Sequence, residues 1–276
     1  MSTKTFQAYS RQLKKLFKDK TFKPYQINKT CDGLSFNFII GDLDGQEWYI
    51  PSASSPDSDL NQEMGFLKEK LIEPGDVIFE CGTHHGWTTL LLSKWVGDTG
   101  QVVGFEINHH NAQIAKQNME LNSINNVTIE QKATGASEGK VRMFRKSNAS
   151  VTPKNTISWG MIKNLIYGVE DVEMISLDSY AQQRNIKPTL LKIDVEGYEA
   201  EVLKGAKNIL ESTPKLEIEI HTEILSRQNT SVQEILDLID ISRYHCWIQW
   251  DELEAPIDFD PQEEIKKRVH LFAIPK

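Results

Sequence analysis

The 276-residue chain is 39% hydrophobic, enough to bury a substantial core in one α/β domain with additions. Its 39 Asp and Glu against 31 Lys and Arg leave a net charge of −8, whereas a nucleic-acid binder would display a basic face. Three widely separated cysteines, Cys31, Cys81 and Cys246, give neither a disulfide framework nor a Cys-x-x-Cys zinc knuckle.

In chain order, residues 1–20 predict a helix with Phe6, Tyr9, Leu13, Leu16 and Phe17 along one side, a surface for a homodimer. The short basic run from Arg11 to Lys18 reads as a solvated helix face rather than a membrane anchor. The first residues lack a signal-peptide core and no apolar run reaches spanning length, so a cytoplasmic location without membrane insertion is expected. Residues 34–40 and 46–50 predict a β-hairpin joined by Gly41-Asp-Leu-Asp-Gly45. A loop at 51–56 closes this 1–58 cap, which is too small to fold alone, and residues 59–276 form the main domain.

A helix around 61–72 leads into a buried strand at 77–79 and then Glu80-Cys-Gly-Thr-His-His-Gly86. Gly82 and Gly86 let the backbone bend sharply and approach a ligand before the next helix, 87–95. A second strand, 100–105, ends at Glu106, where a Rossmann-type fold offers a carboxylate to ribose hydroxyls. Helix 108–122 and a strand near 127–130 follow. The loop is neither a P-loop nor Gly-x-Gly-x-x-Gly, which disfavours a nucleoside triphosphate and NAD.

Past a strand at 139–144, residues 145–170 form a long irregular segment expected to face the substrate. A strand at 172–177 precedes Asp178, read as the cap of helix 179–184. The stretch from Leu190 to Ala206 then runs as a buried strand, releases Asp194 and Glu196 at its C-terminal end, turns at Gly197 and becomes a helix. Glu199 and Glu201 read as exposed first-turn acids. Strand 215–220 delivers Glu219 and His221, helix 231–241 follows, and 244–250 with 268–274 form an antiparallel terminal pair. The result is an α/β chain with a Rossmann-like, mostly parallel sheet of about seven strands behind a helix and hairpin cap.

Ile78-Phe-Glu-Cys-Gly-Thr-His-His-Gly-Trp-Thr-Thr-Leu90, Ser176-Leu-Asp178, Leu191-Lys-Ile-Asp-Val-Glu-Gly-Tyr-Glu199 and Glu217-Ile-Glu-Ile-His221 together resemble the FkbM-type S-adenosylmethionine-dependent methyltransferases. The resemblance implies a seven-stranded methyltransferase fold and methyl transfer, usually to a hydroxyl of a saccharide or small metabolite. It implies S-adenosylmethionine contacts from Glu80, Gly82, Thr83, His84, Gly86, Trp87, Glu106 and Asp194, with Lys132, Ala133 and Thr134 beside the adenine. The chain departs from the family pattern at Glu80, usually Asp, and at Thr83-His84, usually a small residue and Asn.

Methylating a neutral hydroxyl benefits from a base or a metal. Asp194, Glu196, Glu219 and His221 converge at the strand tips as the catalytic candidates. His221 is the leading base, oriented by Glu219 or Asp194; a hard cation on Asp194, Glu196 and Glu219 and a purely positioning role remain open, with no metal assigned. N-methylation, noncatalytic cofactor binding, an NAD-dependent oxidoreductase and an RNA-directed enzyme are the rival functions.

Overall fold

The computed structural model describes residues 21–50, 60–144, 168–251 and 253–276; the expected helix 1–20, the 51–56 loop and most of the substrate-facing segment lie outside them. Strands β1 (Tyr25–Cys31) and β2 (Leu34–Ile40) form a hairpin, and α1 (Leu43–Tyr49) follows. Helix α2 (Gln62–Phe66) continues as a π-helical turn (Leu67–Leu71) into β3 (Val77–Cys81), α3 (Trp87–Trp95), β4 (Gln101–Phe105), α4 (His109–Leu121) and β5 (Val127–Glu130). Then come β6 (Ala133–Thr134), β7 (Gly139–Phe144), β8 (Val169–Ile175), α5 (Leu177–Arg184), β9 (Leu190–Ile193), α6 (Glu199–Lys204), α7 (Lys207–Glu211) and β10 (Lys215–Ile220). The chain ends with α8 (Thr222–Leu225), α9 (Val232–Ile239), β11 (Tyr244–Gln249), β12 (Ile257–Asp258) and β13 (Val269–Pro275).

The main sheet runs β12-β11-β13-β10-β9-β3-β4-β5. Strands β10, β9, β3, β4 and β5 are parallel, and β13 is antiparallel to both β10 and β11. Seven longer strands thus match the expected sheet, and two-residue β12 adds an eighth. The strand expected at 172–177 instead leaves the main sheet and pairs with β6 and β7 in a three-stranded sheet.

The period-2 alternation of strands gives this sheet two unlike faces. Phe79, Cys81, Val103, Phe105, Leu191, Ile193, Leu216, Ile218 and Leu271 point to one face and pack against Tyr180, Val202, Leu203 and Ile235 of the covering helices. On the other face, Ile78, Val102, Leu190 and Phe272 pack under Leu67, Leu71, Leu92 and Val96. One step nearer the C-terminal ends of the strands that face turns polar, with Glu80, Lys192, Glu217, Glu219 and His270, all buried. This charged layer lies directly beneath the strand tips.

The hairpin differs from the expected one. Its turn is Asp32-Gly33, with φ of 55° and 70°, the left-handed pair that a two-residue type I′ turn requires. Residues 43–49 are helical because the Asp42 side chain accepts a hydrogen bond from Gly45 N at 2.7 Å and caps the first turn. Asp178 is corrected likewise: Ser176 caps α5, and Asp178 accepts from Asn208 N and Ile209 N at the start of α7.

Strand β2 packs Phe36, Phe38 and Ile40 on Leu90, Ala112, Ala115 and Met119. Its outward backbone groups are met by α4: Asn37 N donates to Asn122 Oδ1 at 2.9 Å and Ile39 N to Asn118 Oδ1 at 2.7 Å. Asn118 also donates to the carbonyl of His85 at 2.8 Å, so one buried amide ties the hairpin to the glycine turn. Asn118→Ala strands these groups, and a loss of about 1–3 kcal/mol is expected in urea unfolding.

Candidate functional site

The site forms where β3, β4 and β9 end. Gly82 leaves β3 with φ +96°, and a Cβ there would stand 1.9 Å from the carbonyl oxygen of Asp194, so no other residue fits. Gly82 N donates to Phe105 O at 2.8 Å and Asp194 N to Cys81 O at 3.0 Å, which fixes the three strand tips against one another. His84 and Glu196 both take left-handed φ values, 49° and 53°, a strain of about 1–3 kcal/mol each that concentrates at functional positions.

Above these tips lies a cleft enclosing about 700 Å³ of empty space. Gly82, His84 and Glu106 line one side, Lys132, Ala133 and Thr134 a second, and Asp194 and Glu196 a third. Phe105, Ile107, Val195, Tyr198 and Trp48 supply apolar and aromatic walls that the sequence did not single out. Trp48 was hidden by the strand assigned to residues 46–50; carried on α1, it lies 4.7 Å from the His84 ring.

Glu106 accepts hydrogen bonds from His84 N at 2.8 Å and from Asn108 N at 2.7 Å. Burial pushes its carboxyl up to about 7. Other residues of the first motif lie behind the turn. Glu80 is buried, accepts from Thr89 Oγ1 at 2.5 Å and is raised by burial to about 7. Thr83 packs its Cγ2 where a Cβ on Gly104 would fall, and Gly86 begins α3 against Ala115 and Met119. Trp87 faces the hairpin, edge-on to Phe36 and Phe38 and under the Lys29 ammonium. Cys81 is fully buried, and burial pushes its thiol up to about 12, which suits packing rather than nucleophilic work.

The structure brings Asp194, Glu196, Glu219 and His221 together. His221 Nε2 lies 3.9, 3.6 and 3.7 Å from oxygens of Asp194, Glu196 and Glu219. Its Nδ1 is 2.8 Å from Oε1 of Glu199, which also accepts from Gly197 N. Glu199 is therefore the orienting group, neither exposed nor idle: it is fully buried where α6 begins. Burial alone would lower the His221 pKa, but the Glu199 hydrogen bond and the charges of Glu219 and Asp194 push it up to about 9. Burial, with Asp194 nearby, raises Glu219 to about 8.

The sequence profile of the methyltransferase FkbM domain matches residues 80–246, which include every strand tip of this site. The chain belongs to the FkbM methyltransferase family. Residues 80–246 thus form the FkbM methyltransferase domain that the first motif and the Lys-Ile-Asp-Val-Glu-Gly segment suggested. Over 76 residues it is 36% identical to the hexuronic acid methyltransferase AglP of Haloferax volcanii, a stretch covering 27% of this chain and 32% of that relative. Among solved structures it is similar to an S-adenosylmethionine-dependent O-methyltransferase of Thermotoga maritima, with a TM-score of 0.43, 13% identity and coverage of 91% and 78% of the two chains. It is also similar to an O-methyltransferase of Bacillus cereus, with a TM-score of 0.41, 16% identity and coverage of 77% and 78%.

The cleft suits the family's cofactor. Its glycine turn admits close approach, and its buried carboxylate stands at the tip of the second strand. No helix among the described residues is long and apolar enough to cross a membrane.

Proposed function

We infer that the protein transfers a methyl group from S-adenosylmethionine to a hydroxyl oxygen of a saccharide or small metabolite, with His221 as general base. The Glu199–His221 pair carries this reading. With Nδ1 committed to a buried carboxylate, Nε2 is turned toward Asp194 and Glu196, which line the cleft. That arrangement fixes the tautomer and leaves one nitrogen for an acceptor proton.

The remaining roles follow from position. Glu106 takes the ribose hydroxyls, Lys132, Ala133 and Thr134 border the adenine, and His84 with Asp194 faces the rest of the cofactor. Glu80, Thr83, Gly86 and Trp87 support the turn from behind. Bound S-adenosylmethionine supplies an activated methyl group on a sulfonium. Asp194 and Glu196 would orient the acceptor hydroxyl toward the methyl group that the cofactor would supply, and His221 Nε2 would take the hydroxyl proton. A cationic group held in the neighbouring cleft lowers the His221 pKa and favours the neutral base.

The ligand atoms of Asp194, Glu196 and His221 also lie within 4.8 Å of one another, which supports a second reading in which a divalent ion clamps the acceptor. With saturating cofactor, the base reading expects turnover to survive chelation; the metal reading expects loss and recovery with Mg²⁺.

The experiment is transfer from methyl-labelled S-adenosylmethionine across hexuronic acids, neutral sugars and amino sugars. Hexuronic acids come first because the Haloferax relative bears that name. A product labelled on a hydroxyl oxygen is expected. Label on nitrogen, or cofactor binding with no transfer to any acceptor, overturns the reading in favour of an N-methyltransferase or a noncatalytic binder.

A further inference from the structure

His85 follows His84 in the cofactor turn but faces away from the cleft. Its ring is fully buried, and neither Nδ1 nor Nε2 has a hydrogen-bond partner. Imidazole always presents polar nitrogens, so such burial is unfavourable unless something meets them. Nε2 lies 3.4 Å from Oδ2 of Asp42, and Nε2 of His110 lies 4.0 Å from the same oxygen. The three ligand atoms fall within 4.8 Å of one another. The backbone leaves room for the rings: a Cβ on Gly41 would stand 3.1 Å from Nε2 of both histidines, and one on Gly45 only 2.4 Å from Cε1 of His85.

Two imidazoles and a carboxylate form a donor set for a borderline divalent transition ion. Bonds of about 2.0–2.2 Å in a tetrahedron hold neighbouring ligand atoms roughly 3.3–3.5 Å apart. The Asp42–His85 distance already meets this; Nε2 of the half-exposed His110 lies 3.1 Å from the carbonyl oxygen of Gly41, a hydrogen bond that ligation would replace. The contrast with Glu63, Glu217 and His270 is instructive. Those three are equally close, but the Lys192 ammonium occupies the cationic position, 2.5 Å from Glu217 and 3.8 Å from Glu63. In the other cluster both ring nitrogens of His85 are buried with no hydrogen-bond partner.

The geometry points to a structural transition-metal site formed by Asp42, His85 and His110, with water completing the coordination. The ion would join the N-cap of α1, the glycine turn and the first turn of α4. These same segments bring Trp48, His84 and Glu106 to the cleft, so metal occupancy stiffens one wall of the cofactor site. By reciprocity, cofactor and metal each tighten binding of the other by the same factor.

The test uses the full chain stripped with EDTA and titrated with Zn²⁺ by calorimetry, beside the visible spectrum of the Co²⁺ form. One Zn²⁺ per chain and a Co²⁺ spectrum of nitrogen and oxygen ligation are expected. Both should disappear in His85→Asn, and Zn²⁺ affinity should fall about tenfold or more in His110→Ala. His110 is half-exposed, so its variant keeps the test informative should His85→Asn fail to fold. Failure to take up a stoichiometric ion overturns the proposal. So does uptake unchanged in His110→Ala, or uptake lost in Asp194→Asn, which would place the ion at the catalytic cluster. None of these readouts needs turnover, so a failure of the methyl-transfer reading leaves the site standing.

Discussion

Lys192→Met should cost about 3–5 kcal/mol of folding stability although methionine fills much of the same space. The ammonium lies 2.5 Å from Glu217, a carboxylate with no exposure, and 3.8 Å from Glu63. His270 Nδ1 meets the other Glu217 oxygen at 2.9 Å. Burial alone would raise the Glu217 pKa, but the Lys192 charge and the His270 hydrogen bond hold it at about 2. Removing the ammonium leaves the buried Glu217 of β10 and Glu63 of α2 without the cation between them, whereas Lys192→Met with Glu217→Gln removes both sides of the imbalance and should recover most of the loss. The pH dependence has a definite sign. A carboxyl depressed from 4.5 to about 2 contributes stability above pH 4.5 that is lost as pH falls through 2. Urea unfolding between pH 2 and 7 should show that slope in the wild type and its loss in the double variant. A Lys192→Met stability within about 1 kcal/mol of wild type would mean that the buried network contributes little beyond packing.

His221→Ala is expected to lower the rate of methyl transfer to a hydroxyl by about 10²–10⁴-fold with cofactor affinity nearly unchanged. The base is available only when neutral. With its pKa at about 9, the wild-type rate at saturating cofactor should climb from neutral pH and level off near 9, or lower if bound cationic cofactor depresses the pKa. The His221→Ala profile should be flat over that range. Glu199→Gln, which keeps a hydrogen-bond acceptor but removes the charge raising the imidazole pKa, should shift the rising limb to lower pH. An acceptor that is already anionic or an amine needs less base assistance, so only a small loss in His221→Ala would point to a carboxylate or nitrogen acceptor.

The clustering of carboxylates and His221 at the strand tips was legible because a buried strand that ends in Asp194-Val-Glu-Gly, or in Glu219-Ile-His221, marks the C-terminal edge of a parallel sheet. Glycine spacing and Glu106 located the cleft for the same reason. Other errors have local causes. Asp32-Gly33 is a strong two-residue hairpin signal, yet Gly41 and Gly45 drew the turn ten residues later and made a strand of α1. That error also hid Trp48 from the cleft. Glu199 resembled any acid in a helix's first turn; only the direction in which α6 leaves the sheet shows that this turn faces inward toward His221. The Lys192–Glu217 pair depends on the β9–β10 register, which places them side by side and which no single strand reveals. Trp87 sits next to the glycine turn in sequence, but α3 turns its ring toward the hairpin.

The most direct test of the cleft as the cofactor site is calorimetric titration of S-adenosylmethionine and S-adenosylhomocysteine at pH 6 and pH 8, wild type beside Glu106→Gln. Glu106 accepts ribose hydroxyls best when ionised, and burial sets its pKa near 7, so wild-type affinity should be about tenfold weaker at pH 6 than at pH 8. Glu106→Gln should bind weakly at both pH values with a flat profile while retaining a cooperative melt. Equal affinity in the two proteins, or wild-type binding indifferent to pH, would contradict the account and remove Glu106 and its cleft from the cofactor site.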